Sequence, residues 1–347
     1  MSPIATGLVK HADPVIDPTR GSADSKSSQL ALELFASAKG SDWTVDQMPN
    51  LQGRIAIVTG GVEKARNLMR AASIKWLTKW LLNRVTGSST GIGYATALEL
   101  ARRGAKVYQA QRESNGLPLN SLACRADKDT TDAIKKINVI VPGSNPQFLH
   151  LDITSLKSAH SAAHEFLGKE DRLDILVNNA GIAFTPYQLS EDGIELQLCN
   201  AIGHFAFTFR LLDLLKKTSE EPGSHVRIVN VASVAHSWVR GTPDFSSVDS
   251  LNKHSYFTTD RYGLSKLMRI LFTNELQRRL SSTRIICTSV HPGGVNTKIV
   301  TGVLPVKYLQ QSFFPWAISK VLLTPKDGAF NSLYAATALE LEDKNLR

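Results

Sequence analysis

Cysteine is scarce in this sequence: Cys124, Cys199 and Cys287 are the three in 347 residues. The count is odd, the spacings are wide and no C-x-x-C pair occurs. A disulfide framework or a zinc site is therefore not expected, and a reducing compartment is. Long apolar runs are missing as well. Nothing reaches the roughly 18 consecutive apolar residues of a membrane-spanning helix. The stretch from Met1 to Gly40 is rich in Ser, Asp, Lys and Ala, with no apolar signal core and no Arg-rich amphipathic pattern. Neither secretion nor organelle import is expected from it, and the cytoplasm is the expected location. An even spread of charge is also absent. The net charge is +9, but Lys64, Arg66, Arg70, Lys75, Lys79 and Arg84 stand against Glu63 alone between Val62 and Gly87. That is six minus one, or +5, which leaves +4 for the rest of the chain. Whole-chain basicity therefore gives no argument for a nucleic-acid partner.

What is present is an alternation. Ile55-Ala56-Ile57-Val58 is a short β-branched apolar run of the kind that forms a strand buried on both faces. Similar runs follow at Ala105–Tyr108, Gln147–His150, Asp174–Asn178, Val226–Val231 and Arg284–Val290. Helical patterns separate them at Ile92–Arg103, Leu156–Phe166, Ile194–Lys216 and Tyr262–Leu280, with a last one from Gly328 to Leu341. Strand alternating with helix predicts a parallel sheet covered on both faces. Two stretches break the rhythm. Ser114 to Asp127 is polar, contains Pro and Gly, and reads as an extended loop. The larger break is a repeat: Val-Thr-Gly occurs at Val58–Gly60 and again at Val85–Gly87, 27 residues later.

Thr86-Gly87-Ser88-Ser89-Thr90-Gly91-Ile92-Gly93 precedes the helical run from Tyr94. Gly87, Gly91 and Gly93 suit a tight turn that brings backbone close to a pyrophosphate, at a helix N-terminus whose free N–H groups favour anions. Further along stand Leu151-Asp152, Asn178-Asn179-Ala180-Gly181, Asn200 in Asn-Ala-Ile-Gly-His-Phe, Ser233, Tyr262-x-x-x-Lys266 and Pro292-Gly293-Gly294-Val295-Asn296-Thr297. In order and spacing these motifs resemble the short-chain dehydrogenase/reductase family, from about Leu51 to Leu341. Gly203-His204-Phe205, Ala235-His236 and Ser265-Lys266-Leu267 look most like its retinol-dehydrogenase-like branch, in a fungal-type reductase. The resemblance implies one doubly wound α/β Rossmann domain with a mostly parallel seven-stranded sheet, order 3-2-1-4-5-6-7, over residues 46–347. Residues 1–45 are expected to be a polar, flexible extension. The family often continues with a further strand beyond the last helical stretch, so the C-terminal end looks short.

The expected reaction is hydride transfer between a nicotinamide and a carbonyl or alcohol of a hydrophobic small molecule, in natural-product or lipid metabolism. A reader of NAD usually places an acid at the end of the second strand, and a reader of NADP an arginine. After Tyr108 comes Gln109-Ala110-Gln111-Arg112, with no acid before Glu113, so NADP(H) is the expected cofactor. The family pattern assigns cofactor contacts to Thr86, Gly87, Ser89, Gly91, Ile92, Gly93, Arg112, Asp152, Ile153, Asn178, Ala180, Gly181, Tyr262, Lys266, Val295 and Thr297. No metal is expected.

Tyr262 and Lys266 lie four apart on a helix and share a face. A phenol titrates near about 10, and a neighbouring ammonium favours its phenolate. Tyr262 is thus the expected acid or base, and Ser233 the donor to the substrate oxygen. By resemblance Asn200 holds a water that links Lys266 to solvent. None of the other six tyrosines has Lys four residues later. Trp238, Pro243, Phe245 and Tyr256 are expected to line the substrate mouth, and Val303–Leu323 with Phe313, Phe314 and Trp316 to cover it. The rival reading is a catalytically silent NADP-binding Rossmann protein.

Joining Ile55–Gly60 directly to Ser88–Gly93 restores an uninterrupted strand and turn. Residues 61–87 therefore read as an insert of 27 × 3 = 81 nucleotides, the size of a short retained intron. The other reading is a genuine basic helix contacting a membrane surface through Trp76 and Trp80. The oligomeric state is left open.

Overall fold

The β-branched apolar runs become the strands of one parallel sheet. In the computed structural model, residues 43–60, 91–112, 127–252, 257–295 and 323–343 are described, all within the unit Ser41–Arg347. The strands are β1 Ile55–Thr59, β2 Lys106–Gln111, β3 Gln147–His150, β4 Ile175–Asn178, β5 Arg227–Val231 and β6 Ile286–Val290. Their order is β3-β2-β1-β4-β5-β6, and every neighbouring pair is parallel. This is the expected order over six strands; no seventh strand is among the described residues.

Parallel pairing needs crossovers, and helices supply them. They are α1 Ile92–Arg102, α2 Asp127–Ile140, α3 Leu156–Leu167, α4 Cys199–Glu220, α5 Val248–Leu251, α6 Thr258–Arg279, α7 Pro325–Thr337 and α8 Glu340–Asp343. α1 and α7 pack on each other against one face of the sheet; α3, α4 and α6 cover the other. With both faces covered, Ala56, Ile57, Val58, Val107, Leu176, Val177, Ile228 and Val229 are wholly buried. Each large aliphatic side chain buried this way contributes about 1.5–3 kcal/mol. β1 is flanked by β2 and β4, so the chain winds away from it in both directions. The crevice at the C-terminal ends of β1 and β4 is where such a sheet binds its ligand.

Two elements depart from the sequence reading. α4 begins at Cys199, five residues after the expected Ile194. The intervening chain instead forms an isolated bridge between Leu189 and Glu195, and the Glu195 carboxylate accepts from Gln197 N at 2.9 Å and Leu198 N at 3.2 Å. α2 is not among the expected helices: its first residues, 127–132, continue the polar composition of the stretch before it. Ala133 and Ile137 point inward one turn apart, while Val139 and Ile140 are exposed. No described helix is long and apolar enough to cross a membrane.

Charge closes the opposite end of the sheet. Buried Asp174, just before β4, accepts from Arg54 Nη1 at 3.0 Å, Arg172 Nη2 at 2.7 Å and the Ile55 backbone N–H at 2.9 Å. Burial alone would raise its pKa, but these hydrogen bonds outweigh that and hold it below the usual value. Trp43 meets Phe330 and Tyr334 of α7 edge-on, with ring centroids 5.1 and 5.4 Å apart.

Candidate active site

The crevice is built on glycine. Gly60 follows β1 with φ +67°, a left-handed conformation that disfavours any side chain, and its N–H donates to Ala110 O at 2.8 Å. Its carbonyl oxygen lies only 1.9 Å from where a Cβ on Gly93 would sit. The end of β1 and the first turn of α1 are thus in direct backbone contact. Thr59 and Asn179 complete the joint. Thr59 Oγ1 accepts from Asn179 N and Ala180 N, each at 2.9 Å, and Asn179 Nδ2 donates to Thr59 O at 2.9 Å. Gly91, the N-cap of α1, makes no side-chain cap bond, and the N–H groups of a helix start favour anions. A packed glycine joint under a helix start fits the pyrophosphate of a dinucleotide. Thr86, Gly87 and Ser89 lie outside the described residues. The strand-end Thr-Gly that the structure shows is Thr59-Gly60, from the first Val-Thr-Gly copy.

At the end of β2, Arg112 Nε pairs with Asp152 Oδ2 at 3.1 Å, both side chains partly exposed. Asp152 also accepts from Thr154 N at 2.9 Å, and Ile153 beside it is buried. Ala180 and Gly181 follow β4 at the crevice, half-buried. The Asn178 side chain turns into the core, donating to Thr208 Oγ1 and Asn230 Oδ1 at 2.9 Å each. Val295 is buried beneath α7, with Cγ2 2.5 Å from where a Cβ on Gly328 would sit. Thr297, Tyr256, Phe313, Phe314 and Trp316 are outside the described residues.

The expected reacting residues lie after β5 and on α4 and α6. Ser233 follows β5 by two residues and caps a 3-10 turn, Val234–Trp238, accepting from Ala235 N at 3.2 Å. Tyr262 and Lys266 share a face of α6, with Lys266 Nζ 5.4 Å from the Tyr262 ring centroid. Lys266 Nζ donates to Val231 O at 3.0 Å. Burial, and next the Arg269 guanidinium, push the Lys266 amine well below its usual pKa. Asn200 is wholly buried and grips the backbone of Ile182: Oδ1 accepts from its N–H and Nδ2 donates to its carbonyl, both at 2.8 Å. An ionisable phenol beside a depressed lysine and a hydroxyl donor is equipped to exchange a proton at a carbonyl oxygen.

Sequence reasoning missed the layer beneath. His204 is buried; its Nε2 lies 2.8 Å from Thr59 Oγ1 and its Nδ1 2.7 Å from Asn200 O. Because Thr59 Oγ1 already accepts twice, its hydroxyl hydrogen is left for Nε2. The network thereby assigns the proton to Nδ1. Burial, then Arg269, keep this imidazole neutral. Phe184 has φ +59°, rare for a bulky residue; its N–H donates to Gln197 Oε1 at 2.9 Å and its ring centroid lies 5.2 Å from that of Tyr262. The first Val-Thr-Gly copy was the available signal for Thr59. No local pattern marks Phe184 or Arg269.

The family model for short chain dehydrogenase matches residues 83–241. An uncharacterised oxidoreductase of Schizosaccharomyces pombe is 37% identical over 309 residues, 88% of this chain and 78% of its own. Homo sapiens retinol dehydrogenase 13 is 38% identical over 266 residues, 75% of this chain and 72% of its own. Among solved structures, an uncharacterised Mycobacterium paratuberculosis protein is similar at TM-score 0.56 and 26% identity, over 86% of this chain and 81% of its own. Pseudomonas aeruginosa RhlG, solved as an NADP active-site complex, shares the fold at TM-score 0.56 and 21% identity, over 84% of this chain and 92% of its own. The chain belongs to the short-chain dehydrogenase/reductase family, in its retinol-dehydrogenase-like branch, oxidoreductases acting on CH–OH and C=O groups.

Proposed function

We propose that this oxidoreductase uses NADP(H) to interconvert a carbonyl and an alcohol on a hydrophobic small molecule, in natural-product or lipid metabolism. One observation carries the cofactor choice: Arg112 stands at the end of β2, where no acid is present, and Asp152 holds it by an ion pair at 3.1 Å. A guanidinium there suits a ribose 2′-phosphate. Gly60, Gly91, Ile92 and Gly93 would take the pyrophosphate, Asp152 and Ile153 the adenine side, Ala180 and Gly181 the middle of the molecule. Tyr262 and Lys266 would face the nicotinamide ribose. The bound nicotinamide supplies or accepts the hydride.

The chain's own groups handle the proton. Ser233 donates to the substrate oxygen and holds it beside Tyr262. Tyr262 gives its phenolic proton to that oxygen in reduction and takes it back in oxidation. Lys266, depressed by burial and by Arg269, is suited to exchange the proton with the phenol. Trp238 and Phe245, exposed in the chain between Ser233 and Tyr262, suit an apolar substrate. Cys199 and Cys287 are free thiols, which supports a reducing, cytoplasmic setting. Phe205, Phe209 and Leu271 are exposed on the adjoining α4 and α6, a face that supports self-association, testable by sedimentation.

The test is a panel of apolar aldehydes and ketones, retinal among them, with NADPH or NADH. NADPH-dependent turnover that disappears in Tyr262→Phe, with NADPH still bound, is expected. A wild type that prefers NADH, or a Tyr262→Phe protein of comparable rate, overturns the reading.

A further inference from the structure

Arg269 is a wholly buried guanidinium one turn beyond Lys266, and no carboxylate among the described residues pairs with it. Its partners are backbone carbonyls at the ends of two strands. Nη1 donates to Val231 O at 3.0 Å and to Ala180 O at 3.4 Å, and Nη2 donates to Asn178 O. Nη2 also lies 3.2 Å from His204 Nδ1, and Nε has no hydrogen-bond partner. Val231 O is the same atom that receives Lys266 Nζ. The two cations therefore converge on one carbonyl beneath Tyr262.

Burying a charge without a counter-charge costs several kcal/mol. A neutral side chain could fill the core here at lower cost, so the charge calls for a role. We infer that Arg269 is a positioning residue for proton transfer: its fork ties the ends of β4 and β5 together under Tyr262, and its charge favours proton loss from the groups above it. The inference rests on the reading of Tyr262 as the acid or base.

The groups around it leave the sign unambiguous. α6 presents Tyr262 and Lys266, and α4 presents His204; the pKa of His291, beyond the end of β6, is lowered by burial, His236 and Lys266 and not by Arg269. The strand ends present carbonyl oxygens. A positive charge lowers the pKa of every acid beside it, so removing the charge raises each apparent pKa in the cluster, whichever group holds the proton. The depressed Lys266 and His204, each with Arg269 among its causes, agree with that direction.

The first readout needs neither the substrate nor the cofactor. Tyr262 ionisation is read as the near-ultraviolet phenolate absorbance of each protein minus that of its Tyr262→Phe partner. Arg269→Gln and Arg269→Met should shift this titration up by about 1 pH unit. Turnover of a carbonyl with NADPH should fall roughly 100-fold in the neutral variants, mostly in kcat. A neutral variant that folds and melts lower, yet titrates as wild type, makes Arg269 structural only and overturns the inference. If both neutral variants fail to fold, Arg269→Lys decides. It loses the fork, so kcat reduced about tenfold or more is expected, and an unchanged kcat overturns the positioning role. Wild-type NADPH binding and turnover report separately on the proposed function.

Discussion

The carbonyl oxygen of Ala235 lies 2.6 Å from where a Cβ on Gly263 would sit, so the helix carrying Tyr262 rests directly on the turn that follows Ser233. Contact between these backbones sets the distance between phenol and hydroxyl. Gly263→Ala must push α6 off the turn, because a backbone oxygen cannot swing aside as a side-chain tip can. Alanine is otherwise the better helix former by about 0.5–1 kcal/mol. The expected result is a folded protein that binds NADPH within a few-fold of wild type and loses roughly 100-fold in kcat. Full activity in Gly263→Ala would show that the Ser233–Tyr262 geometry does not depend on this contact.

Cofactor choice is tested at the end of β2. Arg112→Asp removes the guanidinium and sets a carboxylate beside Asp152, which repels a 2′-phosphate. NADPH affinity should fall by about 2 kcal/mol, within the range for a hydrogen bond to a charged group, while NADH affinity changes little. Titration by cofactor fluorescence measures both. Equal loss for the two cofactors removes Arg112 from the 2′-phosphate site.

Residues 61–87 should be dispensable. Gly60 and Gly93 already touch, β1 takes its Thr-Gly from Thr59-Gly60, and Ser88-Ser89-Thr90 are the same tripeptide span the uninterrupted turn would need. We propose that the working enzyme lacks the 27-residue repeat unit. A protein with 61–87 deleted should bind NADPH at least as tightly as the full chain, and spliced transcripts should omit the corresponding 81 nucleotides. Transcripts that keep the segment, together with unimpaired binding by the full chain, would end this proposal.

Acid stability should depend on Asp174. Its folded pKa lies below the ordinary 3.8. The stability it contributes is therefore fully present above that value and is lost as pH falls through the folded pKa. Asp174→Asn should cost about 3 kcal/mol at neutral pH, since it leaves Arg54 and Arg172 without their shared carboxylate. The gap between wild type and variant should close at lower pH. Urea melts at two pH values measure it, and a pH-independent gap would show that the carboxylate's charge is not what matters.

Much of the fold was legible because strand and helix leave different local periods. Six apolar runs became six strands with ends within three residues, because strands covered on both faces are mostly apolar and read as runs. The start of α4 and the whole of α2 were less legible. A buried Glu195 caps one from within the expected helical pattern, and the other opens on the polar run Asp127-Lys128-Asp129-Thr130-Thr131-Asp132, which continues the composition of the loop before it. In the site, Tyr262 and Lys266 stood out by their spacing on one helix face, and Ser233 and Asn200 by resemblance to the family's motifs.

By itself, then, the sequence determined the order of elements, the reacting residue types and the duplicated Val-Thr-Gly. Each of these is carried by neighbours along the chain. Only the tertiary structure decided that Gly60 touches Gly93, where the Gly263 contact seats Tyr262, and that Arg269 and His204 lie beneath the site. These depend on contacts between residues far apart in sequence, such as Gly60 with Gly93 and Arg269 with Asn178. Chain neighbours place no constraint on such pairs until the sheet and its helices have packed.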